Sequence, residues 1–397
     1  MGSNRFQVFS AFLWLGCTSF GGPIAHLGYF REEFVGRRRW LDDKAYADLV
    51  ALCNFLPGPA SSQVGMAIGI SRAGLSGGLA AWLGFTLPSA LALLLFAYGF
   101  AALGTASTAH WLHGLKIAAV AVVAQAVWVM RGNLCPDALR ASFALGAALL
   151  VLLVPAPWAP LAAIAAGAAA GAWLLRPADP GSSAEAGLYR VGKRAAAACL
   201  ALFFILLAAL PIARRIAPGP ALELFDSFYR SGALVFGGGH VVLPLLRSEV
   251  VPPGWVSDDA FLAGYGAAQA VPGPLFTFAA YLGAVMSRPP NGIAGGLIAL
   301  AAIFLPGFLL VAGALPLWNG LRRHRIAQRA LAGVNAAVVG VLLAALYDPV
   351  WTSSIRSGSD LAIALAAFGM LMLWRLPPLA AVLFAAAAGA LELAFTG

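Results

Sequence analysis

Runs of chain without a single charged residue constrain this protein more than any other feature. Leu75 to Leu103, Ser142 to Leu175 and Ala330 to Leu346 contain no Asp, Glu, Lys or Arg. As a helix, each is long enough to cross a hydrocarbon core about 30 Å thick. Strands are excluded, because barrel strands alternate polar and apolar residues whereas these runs are apolar on every side. Only 10% of the 397 residues are charged, against roughly a quarter in soluble domains. The chain reads as an all-α polytopic membrane protein.

A formal net charge of +9 raises the question of nucleic acid. The basic residues lie in short clusters between apolar runs, as in cytoplasmic loops facing anionic lipid, so no nucleic-acid partner is expected. The first apolar stretch lacks a cleavable signal's small-residue end, and bacterial inner-membrane insertion is the expectation. Cys17, Cys53, Cys135 and Cys199 are scattered, without C-x-x-C spacing, and read as small apolar fillers. His26, His110, His113, His240 and His324 show no metal-ligand spacing, so neither a metal nor another cofactor is expected.

The chain repeats itself. Phe20-Gly21-Gly22 recurs as Phe236-Gly237-Gly238, and Trp40 with Asp43 recurs as Trp255 with Asp258. Phe55-Leu56-Pro57-Gly58-Pro59 recurs as Ala270-Val271-Pro272-Gly273-Pro274. Gly77-Gly78 with Pro88 recurs as Gly295-Gly296 with Pro306, and Lys116 falls opposite Asn335. The offset stays near 216 residues, so order and spacing both indicate duplication. The expected parts are a first membrane repeat over 1–175, a basic cytoplasmic linker over 176–194, a linking transmembrane helix over 195–213 and a second repeat over 222–397.

Segments 5–18, 23–34, 44–56 and 60–71 are too short to span singly and flank Gly/Pro interruptions. They read as half-membrane helices or re-entrant hairpins, tolerated only where they line an enclosed cavity. Full spans are expected near 74–103, 112–131, 140–154 and 158–175, with counterparts near 292–317, 330–347, 359–374 and 378–396. Arg31, Arg37, Arg38, Arg39 and Lys44 follow the first break, whereas the corresponding second-half loop has only Arg247. The second half instead carries Arg322, Arg323, Arg325 and Arg329 after its 292–317 span. Equivalent loops would therefore face opposite sides, giving two inverted-topology repeats with a cytoplasmic N-terminus. Arg214, Arg215 and Arg356 then fall outside, against the trend.

Leu15-Gly16-Cys17-Thr18-Ser19-Phe20-Gly21-Gly22-Pro23, Pro57-Gly58-Pro59 with Gln63, Phe236-Gly237-Gly238-Gly239 and Pro272-Gly273-Pro274 carry a resemblance over essentially the whole chain. It is similar to the chromate ion transporter family. The resemblance implies chromate export linked to the proton-motive force, chromate resistance, sulfate as a structural mimic, and a homodimer.

The residues themselves suit such a cargo. A dianion inside a membrane needs donors that carry little desolvation cost. Helix N-termini offer unpaired N–H groups and about half a positive charge each. Proline suits the first helical turn, and glycine lets backbone approach the ion. Gly21-Gly22-Pro23, Pro57-Gly58-Pro59, Gly237-Gly238-Gly239 and Pro272-Gly273-Pro274 are thus four candidate anion-facing breaks; the alternative is that they serve tight helix packing. Beside them stand the neutral donors Thr18, Ser19, Asn54, Ser61, Ser62, Gln63, Gln269 and Thr277, which also suit helix–helix hydrogen bonding. Lys116 begins an otherwise uncharged segment and is a candidate ligand, or snorkels to the interface. Arg31 and Arg72 lie where a cytoplasmic mouth would gather anions, or act as orientation signals. His26, His240 and Asp226 are the proton-coupling candidates, with packed histidines and a cap or interfacial carboxylate as the alternatives. Asp48 and Asp348 are further carboxylates near apolar runs. Two rival readings stand beside chromate export: a sulfate or other oxyanion permease, and a non-transporting membrane scaffold or integral enzyme.

Overall fold

A computed structural model describes residues 2–102, 109–154, 156, 158–176, 191–236, 239–321 and 324–396. The linker residues 177–190, most of the uncharged loop near Gly104, the pair 322–323, and Gly237 and Gly238 lie outside the described residues. No strand occurs among those described.

The first half begins with α1 (Gly2–Thr18), α2 (Gly22–Arg31, extended by a π-helical turn) and α3 (Asp43–Phe55). The long α4 (Ala60–Ala102) breaks at Ala73 and Gly74, where the backbone leaves helical geometry. A short leg thus precedes a full span, as the 60–71 and 74–103 segments anticipate. Then come α5 (Ala109–Leu134), α6 (Ala138–Leu153) and α7 (Ala159–Leu174). The linking helix α8 (Lys193–Ile216) starts two residues before the expected 195 and ends three after 213.

The second half follows the same order. It has α9 (Pro220–Ala233), a 3-10 turn at Gly239–Val241 leading into α10 (Val242–Val250), and α11 (Asp258–Ala270). A turn at Leu275–Thr277 opens α12 (Phe278–Ala284), and then come α13 (Gly292–Ala314), α14 (Arg325–Ala345), α15 (Gly358–Met372) and α16 (Pro378–Thr396).

Among the described residues, five helical stretches are long and apolar enough to cross a membrane: Ala60–Gly99, His113–Leu134, Lys193–Ile216, Gly292–Leu317 and Arg325–Ser354. The segments expected near 140–154 and 158–175 form helices of only 16 residues each. This is a multi-pass membrane protein. Its lipid-facing character shows on α4, where Leu79, Leu83, Leu87, Leu91 and Leu95 are exposed at four-residue spacing.

Local chemistry sets the helix ends. Asp42 accepts from the Ala45 N–H at 2.7 Å and Ser257 from the Ala260 N–H at 3.2 Å, capping α3 and α11 at corresponding places. Ser357 and Asp360 form a capping box on α15. Small residues let helices touch, since lipid leaves little hydrophobic drive between spans. A methyl on Gly333 would lie 2.0 Å from the Gly167 carbonyl, joining α14 to α7. Gly69 and Gly77 close the kinked hairpin of α4 against each other, and Gly283 and Gly295 do the same for α12 and α13.

The halves interlock. The span α5 of the first half packs on α15 and α16 of the second, while α14 of the second packs on α6 and α7 of the first. Between them α4 packs on α13, with the Trp82 and Phe304 rings edge to face at 5.8 Å. Every Pro-Gly-Pro break is thereby delivered to the other half.

Candidate functional site

Gly58 and Gly273 sit at the centre of this exchange. Both have positive φ, 126° and 97°, which glycine adopts without strain. The Gly58 N–H donates to the Val235 carbonyl at 2.7 Å, and the Gly273 N–H donates to the Ser19 carbonyl at 2.9 Å. At the roughly 216-residue offset between the recurring motifs, Gly58 falls opposite Gly273 and Ser19 opposite Val235, so the two bonds join corresponding positions. Pro59 and Gln63 lie against Gly307, next to Pro306, and Gly273 lies against Ser89, next to Pro88. Gln63 is fully buried and donates Nε2 to the Pro57 carbonyl at 2.7 Å, clamping the first break. Thr277 closes the second by donating its hydroxyl to the Pro274 carbonyl at 2.7 Å.

Around these breaks lie two adjoining cavities. The larger, about 460 Å³, is bounded by Gly21, Pro23, Gly58, Ser61, Gly239 and His240. The smaller, about 40 Å³, is bounded by Gly22, Gln269, Val271, Gly273 and Leu275. Gly21, Pro23, Gln125 and His240 line both. Four helix starts therefore border the pair of cavities, those of α2, α4, the turn before α10 and the turn before α12. Gly21, with φ 102°, precedes α2 and gives it a proline in its first turn.

No Lys, Arg, Asp or Glu lines either cavity among the described residues. The polar side chains are neutral: Asn54, Ser61, Gln125, Asn133, Asn335 and His240 in the larger, Gln125, Gln269 and His240 in the smaller. Several lack a protein partner. Gln269 Nε2 and Asn335 Oδ1 are buried without a hydrogen bond, and amide nitrogen and oxygen are interchangeable by a flip. Ser19 Oγ, Ser62 Oγ and His26 Nε2, behind the breaks, are also buried and unpaired. Buried polar groups left unpaired are costly, so such a concentration marks a place where another partner is accommodated.

Gly21, Gly22, Pro23, Asn54, Gly58, Ser61, Gly239, Gln269, Gly273 and His240 line a cavity. Pro57, Pro59, Pro272 and Pro274 shape the breaks without lining one. Thr18 donates to the Trp14 carbonyl of its own helix at 2.8 Å. His26 is buried against Phe30 and Phe85, with Nδ1 3.4 Å from Ser61 Oγ. His240 Nδ1 lies 2.8 Å from the Tyr265 hydroxyl. Asp226 is buried away from the cavities and paired with Arg230 at 3.0 Å and Arg214 at 3.5 Å. Lys116, also away from them, is paired with Asp259 on α11. Gln125, Asn133 and Asn335 are the additions. Each is a polar residue on a full-length span; polarity inside a charge-free run is the signal that points to Gln125 and Asn335, whereas Asn133, two residues from Arg131, carries no such signal. A larger space of about 670 Å³, near Tyr98, Trp255 and Met286, is mostly apolar and touches none of the breaks.

Comparison with known proteins gives a consistent answer. The family described as chromate transporter matches residues 6–172 and again 222–390. A chromate transport protein of Pseudomonas aeruginosa is 30% identical over 377 residues, covering 93% of this chain and 87% of its own. A chromate transport protein of Cupriavidus metallidurans is 25% identical over 349 residues, 86% of this chain and 81% of its own. An uncharacterized transporter of Bacillus subtilis is 35% identical over 126 residues, 31% of this chain and 61% of its own. No solved structure matches.

Proposed function

The chain belongs to the chromate transporter family, and from that premise we propose that it is a secondary transporter that exports chromate across the bacterial inner membrane. The observation that carries this reading is the convergence of four helix starts and unpaired neutral donors on a charge-free cavity. Chromate is a tetrahedral dianion. Helix N-termini and amide or hydroxyl donors bind such an ion without a counter-charge that would itself need desolvation. The binding groups are the backbone at Gly21, Gly22, Gly58, Gly239 and Gly273 with Asn54, Ser61, Gln125, Gln269 and Asn335.

Two inverted repeats, with the N-terminus in the cytoplasm, form the framework. The duplication is supported by the two separate family matches, the reciprocal Gly58–Val235 and Gly273–Ser19 bonds and further matched pairs; the inversion and the cytoplasmic N-terminus rest on the opposite placement of the Arg clusters. Arg31 Nε donates to Asp43 at 2.8 Å and Arg247 Nε to Asp258 at 2.8 Å. Arg72 stacks over Trp40 and Arg288 over Trp255. These relations hold at the sequence offset of the repeat, as duplicated halves require.

Export follows the membrane potential. At roughly 2.3 kcal/mol per charge per 100 mV, a dianion leaving an inside-negative cell gains about 4.6 kcal/mol. Proton uptake in exchange adds to this, and His240, which borders both cavities, is the coupling group best placed for it. The test is a chromate-sensitive host expressing the chain, scored for chromate tolerance and internal chromate. Raised tolerance with lowered internal chromate supports export; unchanged tolerance with the protein in the membrane contradicts it.

A further inference from the structure

The two cavities are counterparts of unequal size. Cys53, Asn54, Leu56, Gly58 and Ala60 border the larger, and their repeat partners Ala268, Gln269, Val271, Gly273 and Leu275 border the smaller. Their volumes are about 460 and 40 Å³. A difference also runs outward from each. In the first half, a surface groove of about 590 Å³ between α2 and α3 shares Leu27 and Asn54 with the larger cavity and continues to the exposed Arg31–Asp43 pair. In the second half, the corresponding positions between α10 and α11 are filled. Leu243, Phe261, Leu262 and Tyr265 each have no exposed surface.

The cause of the closure is visible on α11. Its outward face is covered by the start of α5: a methyl on Gly266 would lie 2.6 Å from the Leu115 carbonyl. About two turns earlier on α11, Asp259 makes its ion pair with buried Lys116, the residue after Leu115, and the Asp259 carboxylate is largely exposed at the rim. The repeat partners of Asp259 and Gly266 are Lys44 and Ala51, and both are exposed. One repeat's hairpin is thus covered by a span of the scaffold while the other's is not.

We propose that the seam between α5 and α11 is the closed gate of the transport path, latched by the Lys116–Asp259 pair, and that the α2–α3 cleft is the open one. The cavity then reaches one side of the membrane past Asn54 and is sealed from the other beside Gln269. Turnover exchanges the two: α11 parts from Leu115 and Lys116 while α3 closes. Lys116 acts here on a gate and touches no substrate. The inference rests on the transporter reading, and its test is independent of cargo.

The test uses the full chain in membranes, with its four native cysteines replaced, carrying Asn54→Cys or Gln269→Cys. A membrane-impermeant maleimide is applied to right-side-out and everted vesicles. Asn54→Cys should label from one side only and Gln269→Cys should resist label from both. Adding Asp259→Asn should raise Gln269→Cys labelling from the opposite side by about fivefold or more, as expected when a part-exposed ion pair of one state is removed. It should lower labelling of Asn54→Cys in step. The charge exchange Lys116→Asp with Asp259→Lys should return Gln269→Cys to its protected state, separating a latch from general loosening. Equal labelling of the two positions in the unlatched and latched proteins, or Asp259→Asn without effect, overturns the proposal. Chromate protection of Leu27→Cys, which lines the same cavity but is not one of the binding groups, reports on the cargo: its absence beside an intact Asp259→Asn shift overturns the chromate reading and leaves the gate standing.

Discussion

The Gly58 N–H is bound to the carbonyl of Val235, 177 positions along the chain, at 2.7 Å. Its counterpart Gly273 binds Ser19 at 2.9 Å. Each Pro-Gly-Pro break is therefore held by the residue just before the other half's Phe-Gly-Gly, and neither break can shift without pulling on the opposite repeat. A side chain at either glycine meets two obstacles. Positive φ disfavours it, and its Cβ would fall 2.7 Å from Gln63 Nε2 at Gly58 or 2.9 Å from Ser89 Oγ at Gly273. Gly58→Ala and Gly273→Ala should each cut chromate transport by about tenfold or more, from roughly 1–3 kcal/mol of strain at the site. Efflux assays at matched membrane levels check this. Transport within twofold of the parent for both variants would contradict the role given to the breaks.

Gln269 and Asn335 each bring a buried amide atom without a protein partner to the cavities. If chromate is that partner, Gln269→Ala and Asn335→Ala remove a donor to an anion, worth roughly 1.5–3 kcal/mol, or about a tenfold to hundredfold weaker apparent affinity. Thr18→Ala is the comparison, because its hydroxyl is spent on the Trp14 carbonyl. Concentration dependence of transport should separate the three, with Thr18→Ala close to the parent.

His240 and Asp226 predict different defects. His240 borders both cavities and touches Tyr265, so His240→Gln should leave potential-driven transport in place while removing its response to a pH gradient. Asp226 is clamped by Arg230 and Arg214 in the protein interior. Asp226→Asn takes the carboxylate from those part-exposed arginines, of which Arg230 keeps Glu249 at 3.1 Å, and should cost roughly 1–3 kcal/mol of stability, seen as a lower unfolding temperature in detergent. Its pH response should be that of the parent. A flattened pH response in Asp226→Asn with unchanged unfolding temperature would reverse the two assignments.

Much of this architecture was legible in the sequence because membranes leave few options. Apolar length announced the spans, and Gly21-Gly22-Pro23 and Pro57-Gly58-Pro59 announced the breaks, since only such residues interrupt a helix in lipid. What could not be read was mutual placement. Asn133, two residues from Arg131, looks like an ordinary polar residue on its span until α5 and α14 are brought to one cavity. Lys116 looked like an anion ligand because its partner, Asp259, lies 143 positions away on a short helix. Asp226 is a different case: its i,i+4 pair with Arg230 is readable from helical spacing, and only Arg214, on the preceding helix, needs the fold to bring it there. The exchange of α15 and α16 for α6 and α7 around the central spans has no local signature at all.

The central claim is that an uncharged cavity at four helix starts carries chromate across the membrane. Purified protein in liposomes, with an imposed potential positive on the trans side and chromate outside or inside as the only cargo, tests it most directly. The account predicts chromate movement toward the positive side, above protein-free liposomes and reduced at least about tenfold by Gln269→Ala with Asn335→Ala. Folded protein giving no flux above empty liposomes, or a double variant that transports as the parent does, would contradict it.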